Sequence, residues 1–317
     1  MKKIVVLGGG TGLSVLLRGL KQFPLDITAI VTVADDGSSS GRLREEFDIF
    51  AVGDLRNVLV SLSEVEPLIE DLLQYRFVTD SSLNNHPMGN LLLTALYNIT
   101  GNLTESLRSL SKIFNIKGTI LPFTEENPVL IAHTTDGKII EGESNITKAG
   151  KEIDYIEYKN EVKPTKEVIK AIDEADLIIF GIGSLYTSII PNLLSKEVVE
   201  SLKNSKAKKM YVCNIMSEHG ETDNYKVSDC IKKINSYVKE DLMDVVVVNN
   251  KKVPDDIKER YLGETAGQID IDYDVLNDMN VEIIEDELLY ISEKKKVRHD
   301  SYRTALAIFN YIVKELK

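Results

Sequence analysis

Four glycines in five residues, Gly8-Gly9-Gly10-Thr11-Gly12, follow the apolar run that opens the chain and lead into a stretch of helical periodicity from Leu13 to Leu20. A turn without β-carbons lets backbone N–H groups approach phosphate oxygens, and the amino terminus of the next helix adds a favourable dipole. The spacing is not that of the dinucleotide fingerprint, which needs a glycine where Leu13 stands, and no Walker lysine follows. Gly9, Gly10, Thr11 and Gly12 are thus candidate phosphate contacts; the alternative is a strand-to-helix turn that binds nothing.

Three further groups have the right residue types. Asp35-Asp36-Gly37 through Ser40-Gly41-Arg42-Leu43-Arg44 follows a second apolar run. Asp35 could hold a ribose hydroxyl, and Asp36 with Asp54, the latter read as a loop carboxylate in Gly53-Asp54-Leu55-Arg56-Asn57, could hold a Mg²⁺ ion that bridges phosphates. Arg42, Arg44 and Arg56 could clamp the phosphate charge; alternatively the aspartates open a tight turn that the arginines merely solvate. Gly181-Ile182-Gly183-Ser184-Leu185-Tyr186-Thr187-Ser188 is a second glycine turn after an apolar run, in which Ser184, Thr187 and Ser188 can donate to phosphate or sugar. The fourth group is scattered: Asn85-His86-Pro87, read as an ordinary helix start, Asn214 with residues 217–222, Tyr261, and Arg298-His299-Asp300, where Arg298 and His299 are either ligand contacts or salt-bridged surface residues.

The elements that must position these residues are short β-branched runs, Lys3–Leu7, Ile27–Val33, Leu177–Phe180, Met210–Ile215 and Val245–Val248, each followed by helical periodicity. Continuous apolar runs alternating with helices predict a doubly wound, mainly parallel, Rossmann-like sheet covered on both faces. Two glycine turns at the carboxyl ends of such strands converge on one crevice. Residues 55–62, 67–77, 88–99 and 103–114 predict a helical excursion. Ile120–Phe123, Val129–Thr134, Lys138–Glu141 and Ile153–Tyr158 predict a small antiparallel patch, with a hairpin turn at Thr135-Asp136-Gly137-Lys138, so that 118–160 is a candidate inserted subdomain within a single domain of 1–317. The last helix carries Ala305, Ile308, Phe309, Ile312 and Leu316 on one face, with Asp300 placed to cap it.

Composition sets the limits. A chain of 317 residues, 43% hydrophobic and 28% charged, buries a sizeable core. The apolar run Ile4–Leu7 stops at the glycines and cannot be a signal h-region, no stretch approaches a membrane span, and two cysteines, Cys213 and Cys230, suit a reducing compartment, so a cytoplasmic address is expected. A net charge of −12 and pI near 5.0 disfavour a nucleic-acid partner, so an anionic ligand must be held by a local site.

Taken together, the segments GGGTGLSVLLRGLK, ITAIVTVADDG, SGRLR, GDLRN, HPMGNLLLTAL, GSLYTSIIPNLL, GET at 220 and RHD at 298 resemble the YvcK family, also called GlmR or the gluconeogenesis-factor group, a relative of the 2-phospho-L-lactate transferase CofD. The likeness covers nearly the whole chain; Ser38 replaces a glycine, Ala51-Val52 a Pro-Pro pair and Ile182 a proline, all in loops. The resemblance implies a Rossmann-like nucleotide binder. In the transferases, aspartates like Asp36 and Asp54 bind a divalent metal; in the YvcK-like branch the ligand is a UDP-sugar such as UDP-N-acetylglucosamine, with contacts that match Tyr261 and Arg298. The branch is linked to cell shape and cell-wall precursor supply on gluconeogenic carbon. Two functions are therefore weighed: a regulatory nucleotide-sugar binder that contacts a cell-wall precursor enzyme, and a Mg²⁺-dependent phosphoryl- or nucleotidyl-group transferase. A nucleotide-dependent oxidoreductase is disfavoured by Leu13, so neither NAD nor flavin is expected. A homo-oligomer without membrane insertion is the expected assembly.

Overall fold

In the computed structural model, which describes residues 1–47, 49–64, 67–262 and 266–316, the strand Lys2–Gly8 (β1) turns Ile4 and Val6 to one hydrophobic core and Val5 and Leu7 to another. A strand with all four side chains buried needs cover on both faces, which is why such runs carry no polar alternation. The same division holds in β7 (Leu177–Phe180), β8 (Lys208–Val212) and β9 (Val245–Asn249). With β2 (Leu25–Val31), β3 (Thr119–Pro122) and β10 (Glu282–Asp286) they form a seven-stranded sheet in the order β10-β9-β8-β7-β1-β2-β3, with every neighbouring pair parallel. The chain runs outward from β1 to β3, then returns to β7 beside β1 and runs out to the opposite edge. The direction therefore switches between β1 and β7.

One core is covered by α1 (Gly10–Leu20), α2 (Ser38–Phe47), α3 (Gly53–Leu62), α4 (Pro67–Gln74), α5 (Met88–Thr100), α6 (Leu103–Ile113) and the final helix α13 (Ser301–Glu315). The other is covered by α7 (Glu143–Ala149), α8 (Lys166–Asp173), α9 (Lys196–Asn204), α10 (Val227–Val238), α12 (Tyr273–Asp278) and a three-stranded antiparallel sheet of β4 (Leu130–Thr134), β5 (Ile139–Glu141) and β6 (Ile153–Tyr158). A third, small core lies under α11 (Asp255–Leu262) and the hairpin of β11 (Leu289–Ile291) and β12 (Val297–His299). Asp300 caps α13 by accepting from the Arg303 N–H at 2.9 Å, as its position in the sequence suggests. Ser301 Oγ donates to the Val15 carbonyl at 2.7 Å, tying the start of α13 to α1.

Two expectations need correction. The segment Ile120–Phe123 does not belong to the antiparallel patch: β3 pairs in parallel with β2 from Thr28↔Thr119 to Val31↔Pro122 and forms the sheet edge. Ile120 and Leu121 face opposite cores, and a doubly buried run of this kind is what a parallel strand requires. The second strand also ends at Val31, not Val33, leaving Thr32 and Val33 to start the crossover. The hairpin at Thr135-Asp136-Gly137-Lys138 forms as expected, with Gly137 at φ +81°. Among the described residues no helix is long and apolar enough to cross a membrane.

Candidate functional site

The carboxyl ends of β1 and β7, where the chain direction switches, open into a cleft of about 330 Å³. Crevices at such switch points are where open α/β sheets take ligands, because loops diverge there and leave backbone groups free. Gly10 stands at φ +68°, a conformation that an L side chain resists, and it starts α1. The N–H groups of Thr11 and Gly12 lie in the first turn of α1, where no intrahelical acceptor exists. A β-carbon on Gly12 would come within 2.5 Å of the Ile182 carbonyl oxygen, so glycine is what lets the two turns touch. After Gly183 and Ser184 the chain makes a π-turn over Leu185–Ile189, in which the Ile189 N–H donates to the Ser184 carbonyl at 3.1 Å. Single π-turns are frequent at functional sites.

The opposite wall comes from the loop after β8 and from the hairpin. Asn214 Nδ2 donates to the Gly183 carbonyl at 3.0 Å, joining the loop to the second glycine turn. Tyr261 Oη accepts from the Val297 N–H at 2.9 Å, and Arg298, beside it, reaches the cleft while donating to the Val297 carbonyl. His299 Nε2 donates to the Cys213 carbonyl at 3.1 Å, and burial pushes its imidazole down to about 4. It is neutral at neutral pH, fastens β12 to the end of β8, and is neither a salt-bridged surface residue nor a cation.

Below the first glycine turn lies a cluster of carboxylates. Asp54, on the first turn of α3, is half-buried; its Oδ2 accepts from the Gly10 N–H at 2.6 Å, and burial with the charge of Asp35 pushes it up to about 6. It is therefore not a loop carboxylate: it fixes the turn, and the Gly10 N–H is committed to it and not to the cleft. Glu143, at the start of α7, is pushed up to about 8 by burial and by the charges of Asp35, Asp54 and Asp36. Asp35 Oδ1 accepts from Gly37 N–H at 2.8 Å, the tight-turn role, and Asp36 Oδ1 accepts from Ser144 N–H at 2.8 Å. Arg56 is buried, donates to Asn57 Oδ1 at 2.7 Å, and is pushed down to about 10 by burial.

The structure brings Gly9, Gly10, Thr11, Gly12, Gly183, Ser184, Asn214, Tyr261 and Arg298 to the cleft lining. It does not bring Arg42, which is exposed and donates to the carbonyls of Ser82 and Asn84, nor Arg44, which donates to the carbonyls of Ala34, Asp35 and Pro128. Thr187 is buried behind the lining, its Oγ1 3.5 Å from the Glu221 carboxylate, which also accepts the Tyr186 N–H at 3.0 Å. His86 is buried against Ser39 Oγ at 2.8 Å, just before α5, in keeping with an ordinary helix start. Glu218, which lines the cleft, falls inside the 217–222 candidate group but carries no assigned role in the sequence, and Glu143 is not among the candidates at all. Glu218 lies in the acidic stretch Ser217-Glu218-His219-Gly220-Glu221-Thr222-Asp223, where spacing alone does not say which carboxylate faces a ligand, and Glu143 lies in Glu141-Gly142-Glu143 far from either glycine turn.

Fold and cleft together define a doubly wound α/β protein with a ligand site built from two glycine turns at its switch point. Residues 4–289 match the family described as 2-phospho-L-lactate transferase CofD. The chain belongs to this CofD family, within its gluconeogenesis-factor branch. It is 47% identical over 304 residues to the gluconeogenesis factor of Bacillus subtilis (strain 168), covering 96% of each chain, and 45% identical over 308 residues to that of Halalkalibacterium halodurans, covering 97% of this chain and 95% of that one. The crystal structure of a Bacillus halodurans protein superposes with a TM-score of 0.93 at 45% identity, over 97% of this chain and 99% of that one.

Proposed function

We propose that the protein binds a nucleotide sugar of the UDP-N-acetylglucosamine type and acts as a regulator in gluconeogenic growth, adjusting cell-wall precursor supply and cell shape through a partner enzyme. The name gluconeogenesis factor, carried by relatives at 45–47% identity, supports the metabolic part. The single observation that carries the ligand is the juxtaposition, in one cleft, of the free N–H groups of Thr11 and Gly12 with Arg298 and Tyr261. N–H groups at a helix start and a guanidinium suit a diphosphate. The test is calorimetry against UDP-N-acetylglucosamine, UTP, GDP and NAD, each with and without Mg²⁺. The uridine ligand is expected to bind most tightly; tighter binding of NAD than of any uridine nucleotide overturns the reading.

The carboxylate cluster favours a second reading, a metal-dependent transferase. Four acidic groups crowded enough to raise Asp54 and Glu143 offer an all-oxygen donor set, which suits a hard divalent cation. Among the described residues no three His, Cys, Asp or Glu side chains are grouped so as to hold a metal ion; on this reading Asp36 and Asp54 would be the ion's protein ligands. Bound there, Mg²⁺ would neutralise charge on a transferred phosphoryl group. The protein's own part is positional: Asp54 holds the Gly10 turn in place, and Arg56 lies near enough to favour the ionised form of Asp54.

A further inference from the structure

A carboxylate is out of place in a cleft lined by glycine turns and an arginine, because it repels the anion those groups attract. Glu218 nevertheless lines this cleft with Ser184 and Arg298. Its backbone is locked: the Glu218 N–H donates to Thr222 Oγ1 at 2.9 Å, and the Glu218 carbonyl accepts from the N–H groups of Glu221 at 3.0 Å and Thr222 at 2.9 Å. One residue earlier, Ser217 exchanges hydrogen bonds with Gly267, its N–H donating at 2.7 Å and its Oγ accepting at 2.9 Å. The side chain is therefore presented from a fixed backbone, so that only its own torsions remain to be ordered on binding. Burial pushes its carboxyl up, while a hydrogen bond from Ser184 and the nearby Arg298 favour the ionised form. Glu221, close in sequence, has a different task, since its carboxylate accepts the Tyr186 N–H behind the cleft.

We propose that Glu218 is the specificity-determining residue of the cleft: its carboxylate accepts from the uncharged, donor-bearing part of the ligand and repels phosphate, so that the ligand lies with its phosphates at the Thr11–Gly12 turn and its neutral donors at Glu218. The shared chemistry is a pair of vicinal hydroxyls or an N–H group, which a nucleoside and an N-acetylated sugar both carry. This inference rests on the nucleotide-sugar reading for its ligand, but its charge component does not. A site that hydrogen-bonds a ligand's OH or NH group also rejects ligands that lack it, because the buried acceptor is then left unpaired.

Calorimetry of the full chain and of Glu218→Gln and Glu218→Ala, against UDP-N-acetylglucosamine, UDP and inorganic pyrophosphate, tests the proposal. Glu218→Ala should weaken UDP-N-acetylglucosamine about tenfold or more, and Glu218→Gln by less, since the amide keeps one acceptor. Both should bind pyrophosphate more tightly, roughly threefold or more, because a repelling charge is gone. A loss shared by UDP places the donor on the nucleoside; a loss confined to UDP-N-acetylglucosamine places it on the sugar. If Glu218 merely positions Arg298, pyrophosphate will weaken alongside the sugar nucleotide, and that result overturns the proposal, as does unchanged affinity for all three. Wild-type protein that binds neither uridine ligand defeats the nucleotide-sugar reading instead, and the pyrophosphate arm with Glu218→Gln still decides the charge component: no gain there sinks it. Should Glu218→Ala fail to fold, the Gln variant carries the full comparison.

Discussion

Arg298 sits far along the chain from both glycine turns, yet β12 and the capped start of α13 hold it at the cleft wall beside Tyr261. A guanidinium fixed at an element boundary loses little entropy on binding, and a hydrogen bond to a charged group is worth roughly 1.5–3 kcal/mol. Arg298→Ala is expected to weaken UDP-N-acetylglucosamine about tenfold or more while the melting temperature barely moves, and Arg298→Lys to recover only part, because a point charge cannot reproduce the planar fork. Calorimetry beside thermal unfolding checks both; unchanged affinity in the alanine variant removes Arg298 from the site. Asp54 needs a more careful substitution, since its carboxylate holds the Gly10 N–H. Asp54→Asn keeps an acceptor there and should fold, with weakened Mg²⁺-dependent binding, whereas Asp54→Ala leaves the half-buried Gly10 N–H without its acceptor and should lose about 1 kcal/mol in denaturant unfolding. Equal stability of the two variants would mean that the Gly10 bond does not matter to the turn.

At the scale of elements, the two glycine turns are coupled by one close approach. The β-carbon of Gly12→Ala would meet backbone of Ile182 on the β7 side, which cannot rotate away as a side-chain tip would. Overpacking of this kind costs typically about 1–3 kcal/mol, and here the strain would part α1 from the β7 turn and open the cleft between them. Lower thermal stability together with weaker nucleotide binding is the expected pair of results; loss of stability alone would show that the approach is only packing. Most of these elements were legible in the sequence. β1, β7, β8 and β9 announce themselves as apolar runs, and α13 by its one-sided face with Asp300 as cap. β10 did not, because Glu282, Glu285 and Asp286 make an edge strand half exposed to water. Nor did β11 and β12, each of three residues and too short to show any period.

For the molecule as a whole, the buried acids set the pH dependence of stability. Burial and the neighbouring Glu218 raise Glu221 from 4.5 to about 8, and Glu143 is raised from 4.5 to about 8 by burial and the aspartates. Between these values the folded state holds more protons than the unfolded chain, so the contribution is fully present below pH 4.5 and is lost as pH rises through about 8. His299, lowered from 6.5 to about 4, acts in the opposite sense: its contribution is present above 6.5 and is lost as pH falls through about 4. Above pH 6.5 only the acids still titrate, and stability should decline from there to about pH 8. Glu221→Gln, which keeps an acceptor for the Tyr186 N–H, should flatten that decline by at least about 1.4 kcal/mol, the equivalent of one pKa unit. Urea unfolding of both proteins at pH 6.5 and 8.5 measures it, and parallel slopes would show that Glu221 is ionised throughout.

By itself the sequence determined the doubly wound class, both glycine turns and their convergence, because hydrophobic period and glycine placement are local properties that survive any arrangement of distant segments. Gly9, Gly12, Gly183 and Ser184 could be read in this way. Tertiary structure alone decided which charged groups face the cleft. Arg42 and Thr187 stand in the motifs, yet one bonds to the carbonyls of Ser82 and Asn84 and the other to Glu221, while Glu218, one of several acids in its segment, and Glu143, outside the candidate groups, stand at the cleft wall and among the carboxylates. The physical reason is reach: a side chain's partner is set by which loops the sheet order brings together, and here β12 and the start of α13 meet α1 across nearly the whole length of the chain.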